Sequence, residues 1–442
     1  MKTNLKLSLT IMALLLAEAC ALAQVPATLV SFDGGDGANP QAALVAGGNS
    51  LYGTTYGGGS SSAGTVFVVN ANGTGFSNLY SFTGGSDGRG PQGRLVLSGN
   101  MLYGTTELGG APTHGVVFAV NTNGGGFTNL YSFNGPGDGA EPVAGLVLAG
   151  NMLYGTTYAG GGSSFSGAVF GISTNGSVFT NIYNFNGSNN GAHPEGGLAL
   201  SGNTLYGTTY AGGSSGNGIV FRVNTDGSGF SNLYNFTGGS DGANPESGLA
   251  LAGGTLYGTA SGGGDFDNGT VFRVNTNGGG FYSCEFNYSD GANPQGGLLL
   301  AGNTLYGTTT NGGTQGWGAI FEANTNLGSI GNLYSFTEEI DGAVPEAGLT
   351  LLGGTLYGTT QADTSYGSGT VFALNVPGFT ATLNIARQGG QAVLSWTNAA
   401  FVLQSAANLP GPWTNLAGAT SPSTNTVTGT GQFFRLCLPV SD

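Results

Sequence analysis

A loop that recurs along this chain carries the residues best suited to chemistry. Each copy has Asp-Gly or Asn-Gly, then a proline three residues after the glycine, and then, in six of seven copies, Gln or Glu. Carboxylate and amide oxygens can hydrogen-bond sugar hydroxyls, hold water or ligate Ca²⁺. The candidate ligand-binding residues are Gln41, Gln92, Glu195, Glu246, Gln295 and Glu346 after the prolines, with Asp87, Asp241 and Asp290 in the turns.

The same loop has a purely structural interpretation. Asp or Asn before Gly caps a tight turn through hydrogen bonds to its own backbone, and proline fixes the direction of the following strand. Recurrence favours this turn-capping role, since ligand contacts would rarely repeat in every copy. Ca²⁺ is the one cofactor that these oxygen ligands would suit, although the chain has no EF-hand or RTX-type spacing. No other cofactor is expected.

Catalytic constellations are weak. The only histidines are His114 and His193, both in loops, and no Gly-x-Ser-x-Gly lies between a strand and a helix. Glu195, Glu246 and Glu346 could supply a glycosidase-like carboxylate pair, but their equivalent placement suggests a structural series. The sequence therefore favours a non-catalytic binding or surface-interaction module, with a carbohydrate-active hydrolase or lyase as the alternative.

The elements that position these loops come from a long repeat. Leu-Tyr-Gly-Thr-Thr, once ending in Ala260, recurs at intervals of 49 to 52 residues. A fixed long period indicates one supersecondary unit used many times. The seven copies begin at Leu51, Leu102, Leu153, Leu205, Leu256, Leu305 and Leu356.

The fourth unit shows what one repeat builds. β-branched and aromatic runs at 197–200, 204–210, 219–223 and 231–236 are separated by Gly-Asn, Gly/Ser-rich and Asn-Thr-Asp-Gly segments. Four antiparallel strands in about fifty residues is the size of a propeller blade. The sequence predicts an all-β, seven-bladed β-propeller in which Leu205 and Tyr206 face opposite neighbouring blades. The recurring Tyr is interpreted as core, in preference to an exposed aromatic stripe for sugars.

The two ends of the repeat array are complementary. Thr28–Phe32 matches only the fourth strand of a unit, and Gly348–Asn375 supplies only the first three. We therefore expect the propeller to span 28–375 and to be closed by the pairing of Leu29–Phe32 with Thr370–Ala373. Closure removes exposed sheet edges.

Three motifs carry a family resemblance: Leu205-Tyr206-Gly207-Thr208-Thr209, Gly269-Thr270-Val271-Phe272 and Leu79-Tyr80-Ser81-Phe82. Across roughly Leu29–Asn375 the chain resembles the GloVer (Gloeo/Verruco) tandem-repeat family of secreted bacterial proteins. The resemblance implies an exported repeat array followed by a variable C-terminal anchoring or sorting module. It implies no catalytic residue and no substrate.

The segment 377–442 loses the period and is expected to form a small β-rich, β-sandwich-like module. Strands are predicted at 392–396, 401–405, 413–416 and 432–436. Cys284 and Cys437 would link repeat to tail if bridged, and two free thiols are an equal alternative.

The N-terminal segment 1–23 has the charged, apolar and small-residue regions of a secretory signal peptide. Cys20 offers a less favoured lipoprotein alternative. Removal of this segment takes away both Lys and one Glu, changing the net charge from −14 to −15. We expect a secreted or cell-surface monomer without a membrane span, which meets an extracellular carbohydrate or cell-surface protein and does not bind nucleic acid.

Limited proteolysis tests the domain boundary. Cleavage within 376–380 should release the tail as an intact fragment, because the repeat period ends at Asn375. Mass spectrometry of the fragments would locate the cut. Protection of 376–380 under conditions that cleave other loops would contradict a boundary there.

Overall fold

The computed structural model describes residues 25–442 apart from 340, 364–366, 377–383, 389–390, 396–401, 407–413, 416–422, 427–432 and 438–442. The predicted signal peptide lies outside the described residues. Within them the chain forms strands and loops and no helix.

Seven four-stranded antiparallel sheets form the blades of a β-propeller, as the repeat predicts. The first strand, β1 (Ala27–Ser31), precedes blade 1. Blade 1 is β2 (Val45–Gly47), β3 (Ser50–Thr55), β4 (Thr65–Asn70) and β5 (Ser77–Ser81). Blade 2 is β6 (Val96–Ser98), β7 (Met101–Thr106), β8 (Val116–Asn121) and β9 (Thr128–Ser132). Blade 3 is β10 (Val147–Ala149), β11 (Met152–Thr157), β12 (Ala168–Ser173) and β13 (Phe179–Asn184).

The remaining blades follow the same order of strands. Blade 4 is β14 (Ala199–Ser201), β15 (Thr204–Thr209), β16 (Ile219–Asn224) and β17 (Ser231–Asn235). Blade 5 is β18 (Ala250–Ala252), β19 (Thr255–Ala260), β20 (Thr270–Asn275) and β21 (Tyr282–Glu285). Blade 6 is β22 (Leu299–Ala301), β23 (Thr304–Thr309), β24 (Ala319–Asn324) and β25 (Ile330–Ser335). Blade 7 contains β26 (Thr350–Leu352), β27 (Thr355–Thr360) and β28 (Thr370–Asn375).

The first strand of the chain completes blade 7. β1 pairs antiparallel with β28, with Thr28 opposite Phe372 and Val30 opposite Val371. The sheet order is β1-β28-β27-β26, so the N-terminal strand is the fourth strand of the last blade. The predicted closure of the ring by the two ends of the array is confirmed.

Each pair of neighbouring blades shares one hydrophobic cluster, and there are seven such clusters. In blade 4, Leu205 packs in the cluster shared with blade 3, whereas Tyr206 packs in the cluster shared with blade 5. The predicted opposite orientation of these two side chains is confirmed. Tyr206 is only 7% exposed, so the interpretation of the recurring Tyr as core also holds.

The glycine of each Leu-Tyr-Gly-Thr-Thr segment makes room for a phenylalanine. A Cβ on Gly207 would lie 2.7 Å from Cζ of Phe221 and 2.8 Å from Cδ2 of Leu198. Phe221 in turn meets Phe185 of blade 3 edge to face, with ring centroids 5.1 Å apart. Both rings are fully buried, so the glycine permits the aromatic contact that joins adjacent blades.

The inner strand begins later than the sequence predicts. The prediction placed its start at Gly197, but β14 starts at Ala199. A Cβ on Gly197 would lie 3.5 Å from the carbonyl oxygen of Gly145 in blade 3. At this position the chain contacts the neighbouring blade 3. Regular pairing with β15 therefore starts only after this contact.

The tail forms two three-stranded sheets, ordered β29-β30-β33 and β32-β31-β34. Four strands correspond to predicted segments, and two, β29 and β33, were not predicted. The strands are β29 (Asn384–Gln388), β30 (Gln391–Ser395), β31 (Val402–Ala406), β32 (Thr414–Asn415), β33 (Ser423–Thr426) and β34 (Phe433–Cys437). The domain boundary at 376–377 stays a prediction.

Two further sequence expectations bear on the described residues. Cys284 in β21 is a half-buried free thiol, and the side chain of Cys437 lies outside the described residues. Among the described residues, none belongs to a helix with the length and apolar character needed to cross a bilayer.

Removing β1 should destabilise the ring and expose a sheet edge. A chain that begins at Asp33 loses both the partner of β28 and the fully buried Phe32 ring. We expect a loss of at least about 3 kcal/mol in the free energy of unfolding and aggregation through the uncovered edge. A chain that begins at Val25 is the control. Equal melting temperatures and monomeric elution of both chains would contradict this account of closure.

Candidate functional site

The Asp-Gly-x-x-Pro loops and the Gly-rich loops emerge on the same side of the ring, here called the loop face. In blade 4, Ala192 of the first loop forms an antiparallel bridge with Ala211 of the second. Equivalent bridges occur in the other six blades, including Ala38 with Gly57 and Ala343 with Ala362. The recurring Asp-Gly-x-x-Pro loop and the variable Gly-rich loop of each unit therefore lie side by side.

The residue before each proline has a left-handed backbone. His193 has φ +56°, and its amide donates to the carbonyl of Ser166 in the preceding blade at 2.8 Å. Its own carbonyl accepts from the amide of Tyr210 at 2.9 Å. Non-glycine residues occupy this region in six of the seven copies: Asn39, Glu141, His193, Asn244, Asn293 and Val344. Paired backbone hydrogen bonds hold this unfavourable geometry and fix where the next residues point.

Two residues after each candidate Gln or Glu, the inner edges of neighbouring blades touch. A Cβ on Gly248 would lie 3.2 Å from the carbonyl oxygen of Gly197, and one on Gly348 would lie 2.6 Å from that of Gly297. Such contacts between equivalent residues occur only around the axis of the ring. Thr208 ties the blades here by donating to the carbonyl of Ser247 at 3.0 Å. The post-proline residues thus line the mouth of the central channel on the loop face, here called the channel mouth.

Three glutamates of the channel mouth influence each other. Burial raises the pKa of Glu195 to about 8, with repulsion from the Glu246 carboxylate as a further cause. Burial, again followed by repulsion from Glu246, raises the pKa of Glu346 to about 7. Burial also raises the pKa of Glu246. The three carboxyl groups therefore converge, and burial together with mutual repulsion disfavours their ionised forms.

Local hydrogen bonds orient several of these side chains. Ser261 donates its hydroxyl to Glu246 at 2.7 Å, and Gln41 donates to Glu346. Gln92 donates its amide to the Glu107 carboxylate at 2.7 Å. Gln295 is half-buried at the equivalent position.

Gln41 leaves one polar atom unused. Its Oε1 is buried and accepts no hydrogen bond from any described residue. A buried acceptor without a donor costs free energy, so this oxygen is suited to accept from a bound group.

The residue after each Leu-Tyr-Gly-Thr-Thr segment borders the channel mouth, and the sequence analysis missed this set. Tyr56 is held over Gly90 of blade 2 and hydrogen-bonds Glu107. Tyr158 stacks on His193, with ring centroids 4.5 Å apart. Burial raises the pKa of Tyr210, with repulsion from Glu246 and Glu195 as further causes. The sequence could have revealed this set, because its members always follow the repeated motif directly although their residue type varies.

The aspartates of the Asp-Gly turns are engaged in internal hydrogen bonds. Asp241 accepts from the hydroxyl of Tyr234 at 2.9 Å and from the amide of Thr237 at 2.8 Å. Asp87 accepts equivalent bonds from Tyr80 and Thr83. The turn-capping interpretation therefore holds for these two residues.

Asp290 differs because no tyrosine precedes it at the matching position. It accepts from the side-chain amide of Asn287, and burial raises its pKa. A ligand-binding role for the three aspartates stays a prediction.

We examined the described residues for a metal site and for histidines paired with the glutamates. Across the described residues, no group of three or more His, Cys, Asp or Glu side chains is placed to hold a metal ion. His193 is stacked on Tyr158 and its Nδ1 lies 3.1 Å from the carbonyl oxygen of Tyr158. His114 packs against Gly135, so neither histidine is paired with the glutamates.

The glutamates should make stability fall as pH rises. In the unfolded chain a glutamate has a pKa of about 4.3, so Glu195 and Glu346 release protons there that the folded protein retains. Stability from these groups is complete below about pH 4 and is lost through about pH 8. Glu195→Gln with Glu346→Gln should melt a few degrees higher than the native protein at pH 8 and differ less at pH 5.

Calorimetry or circular dichroism at several pH values would measure this difference. Glu339→Gln, which removes an exposed carboxylate from a loop of the same face, is the matched control. Parallel pH profiles of the double variant and the native protein would show that these glutamates are not held protonated.

The repeated units match a known family of proteins. The model of the Gloeobacter/Verrucomicrobia repeat family matches residues 21–201, 160–372 and 279–409. No curated protein matches the chain.

Solved structures with a similar fold include a putative 6-phosphogluconolactonase from Bacteroides uniformis, with TM-score 0.48, 15% identity, and 88% of this chain and 98% of that chain covered. Another, from Bacteroides fragilis, has TM-score 0.47 and 16% identity, covering 88% of this chain and 97% of that chain. A nidogen/laminin complex has TM-score 0.40 and 14% identity, covering 61% and 89%. The likeness extends no further than the fold.

The family matches overlap along the repeated units. Leu-Tyr-Gly-Thr-Thr, the motif that carries the resemblance, forms most of the second strand in the blades. The chain belongs to the Gloeobacter/Verrucomicrobia repeat family.

Proposed function

We propose that this protein is a secreted binding module whose channel mouth takes a carbohydrate. The observation that carries this proposal is the convergence of glutamate and glutamine side chains from several blades at one rim, bordered by tyrosines. Concave sites that combine a few fixed polar groups with aromatic rings are typical of small-molecule recognition. Secretion follows from the predicted signal peptide and is part of the proposal.

The chemistry of the rim suits neutral hydroxyl groups. A protonated carboxyl presents one O–H donor and one acceptor oxygen, and a glutamine amide presents the same pair of functions. Sugar hydroxyls both donate and accept, so each can satisfy such a group. The unused buried Oε1 of Gln41 is an acceptor of this kind.

The tyrosines add flat surfaces beside the polar groups. Tyr158 lies against His193 at the edge of the rim, and Tyr56 lies over Gly90. Aromatic rings with a polar tip provide apolar contact area together with a hydrogen-bonding group. A pyranose ring, which has apolar C–H faces and polar edges, would use both.

One observation favours the catalytic alternative, a carbohydrate-active enzyme. Glu195 keeps its proton near neutral pH beside a second carboxylate, Glu246, and glycoside hydrolysis uses such a pair as acid and base or nucleophile. Binding remains the preferred function because the side chains of Glu195, Glu246 and Glu346 occupy equivalent positions of repeated units.

A glycan array with paired variants tests the binding site. Glu246→Ala with Glu346→Ala should weaken binding of the best glycan at least about tenfold, because two hydrogen-bonding groups are lost. Glu246→Gln with Glu346→Gln should bind within a few-fold of the native protein, since each amide keeps an acceptor oxygen and a donor at the same position. Surface plasmon resonance would measure the affinities, and thermal melting would verify that the variants fold.

Release of reducing ends from the same glycans distinguishes enzyme from binding module. Turnover that disappears in the Gln variant would establish the catalytic alternative. Undiminished glycan binding by the folded Ala variant would place the ligand elsewhere and refute the proposed site.

A further inference from the structure

Three large aromatic side chains are exposed on neighbouring loops of the loop face. Phe266, in the Gly-rich loop of blade 5, is 71% exposed, and Trp317, in the Gly-rich loop of blade 6, is 39% exposed. Tyr288, in the loop that leads from blade 5 to blade 6, is 55% exposed. A single exposed aromatic residue is ordinary, whereas three on successive loops mark a surface that meets another molecule. We call these three side chains the aromatic row.

The loop that carries Tyr288 lies between the other two loops and is joined to both. The amide of Asn293, in this loop, donates to the carbonyl of Asn268 in the blade 5 loop at 2.9 Å. The carbonyl of Tyr288 accepts from the amide of Gly313 in the blade 6 loop at 2.8 Å. A Cβ on Gly316 would lie 3.4 Å from the hydroxyl of Tyr288, so the tyrosine ring extends over the blade 6 loop. The aromatic row therefore crosses from blade 5 to blade 6 on hydrogen-bonded backbone.

The fold does not need aromatic residues at these three positions. Other repeat units form the same loops with small or polar residues at the positions of Phe266, Tyr288 and Trp317: Ser215, Gly239 and Asn217. The backbone bonds are preserved there. The carbonyl of Gly239 accepts from the next Gly-rich loop at 2.8 Å, and that of Asn217 accepts from the next blade at 2.9 Å. The aromatic row is thus an addition to a loop structure that forms without it.

The surroundings of the aromatic row restrict the kind of ligand. Phe266 stands between Asp265 and Asp267, and polar residues also flank Tyr288, so the rings are separated by polar groups. A second copy of the chain or an apolar protein surface would be expected to cover a continuous apolar patch. The loops 261–269, 287–294 and 310–318 contain no Lys or Arg, which disfavours nucleic acid and anionic lipid. Separate rings with acidic and amide groups between them suit a molecule with apolar faces and hydroxyl-bearing edges.

The aromatic row begins beside the channel mouth. The loop of Phe266 starts at Ser261, whose hydroxyl donates to Glu246 at 2.7 Å. The carbonyl of Trp317 accepts from the amide of Val344 at 3.0 Å. Val344 precedes Glu346 by two residues, so their Cα atoms are at most about 7 Å apart. A chain-like ligand that leaves the channel mouth near these glutamates would pass over the aromatic row.

We propose that the aromatic row binds an extended, neutral β-linked glucan chain, one end of which occupies the channel mouth. This inference rests on the proposed carbohydrate-binding function and specifies its ligand as an oligosaccharide long enough to reach across blades 5 and 6. In cellulose-type chains every hydroxyl of glucose is equatorial, so C–H bonds form both faces of the ring and the hydroxyls lie at its edges. Aromatic rings contact the faces, and the exposed carboxylate of Asp265 can accept from the edges.

Isothermal titration calorimetry with cellohexaose and cellobiose tests the proposal. The native protein should bind cellohexaose at least about tenfold more tightly than cellobiose, because only the longer chain covers the aromatic rings. In the row variant, Phe266→Ser, Tyr288→Gly and Trp317→Asn are combined, which introduces residue types that other repeat units hold there. This variant should fold, bind cellobiose as the native protein does, and lose the preference for cellohexaose.

A matched variant and a second sugar control the experiment. Phe165 is an exposed phenylalanine of the blade 3 loop with φ +52°, and Phe165→Asn keeps a residue that tolerates this backbone. It should bind cellohexaose within about twofold of the native protein. β-Mannohexaose, whose axial hydroxyl interrupts one face of each ring, should bind several-fold more weakly than cellohexaose. Equal affinity for the two hexasaccharides would overturn the glucan assignment.

The outcomes separate this proposal from the proposed function. Equal binding of cellohexaose and cellobiose, or a preference that survives in the row variant, overturns the role of the aromatic row while leaving the channel mouth in place. Absence of cellohexaose binding overturns the glucan assignment, whichever other glycan the array identifies. Binding that is lost in the row variant but kept in Glu246→Ala with Glu346→Ala supports the row and refutes the channel mouth.

Analytical ultracentrifugation covers the remaining occupant, a second copy of this chain. The native protein and the row variant should both sediment as monomers. A dimer that forms in the native protein and disappears in the row variant would assign the aromatic row to self-association and overturn the proposal.

Discussion

The close approach of a phenylalanine ring to a glycine in the second strand of each blade is the contact on which the propeller depends. At Gly207 the space of a missing side chain is taken by Phe221 and Leu198, and Phe221 then reaches Phe185 of the neighbouring blade. A methyl group would separate these rings, and the loss of tightly packed aromatic contacts would recur seven times. The glycine content of the chain is therefore partly a packing requirement, in addition to its use in turns.

Burial of both faces of every blade has a topological consequence. A sheet with Leu205 on one face and Tyr206 on the other needs a neighbour on each side, so a row of blades would leave two apolar faces exposed. Closure removes them, and the pairing of β1 with β28 fastens the last blade with the start of the chain. The cluster that holds Phe32, Phe67 and Val371 completes the seventh interface.

Sequence reasoning predicted those features that repeat. The period gave the number of blades, the alternation in Leu-Tyr-Gly-Thr-Thr gave the orientation of Leu205 and Tyr206, and Asp-Gly predicted the turn caps formed by Asp87 and Asp241. Features that depend on contacts formed only in the folded chain could not be predicted from the sequence. The late start of the inner strand at Ala199 arises where neighbouring blades meet. The contact of Glu107 with Gln92 depends on how the two loops of one blade fold toward each other.

In a protein built from repeats, functional residues are best sought at equivalent positions where the residue type differs between the units. Residues that are alike in all blades, such as the buried phenylalanines, maintain the ring and cannot distinguish one ligand from another. Around the axis the equivalent positions differ: Glu195 and Gln92 at the rim, and Tyr158 and Glu107 beside it. The backbone at these positions is fixed by contacts that every blade shares, so different side chains are held in equivalent places. A ring of equal units thus acquires one asymmetric mouth, because side chains of different chemistry stand at equivalent backbone positions.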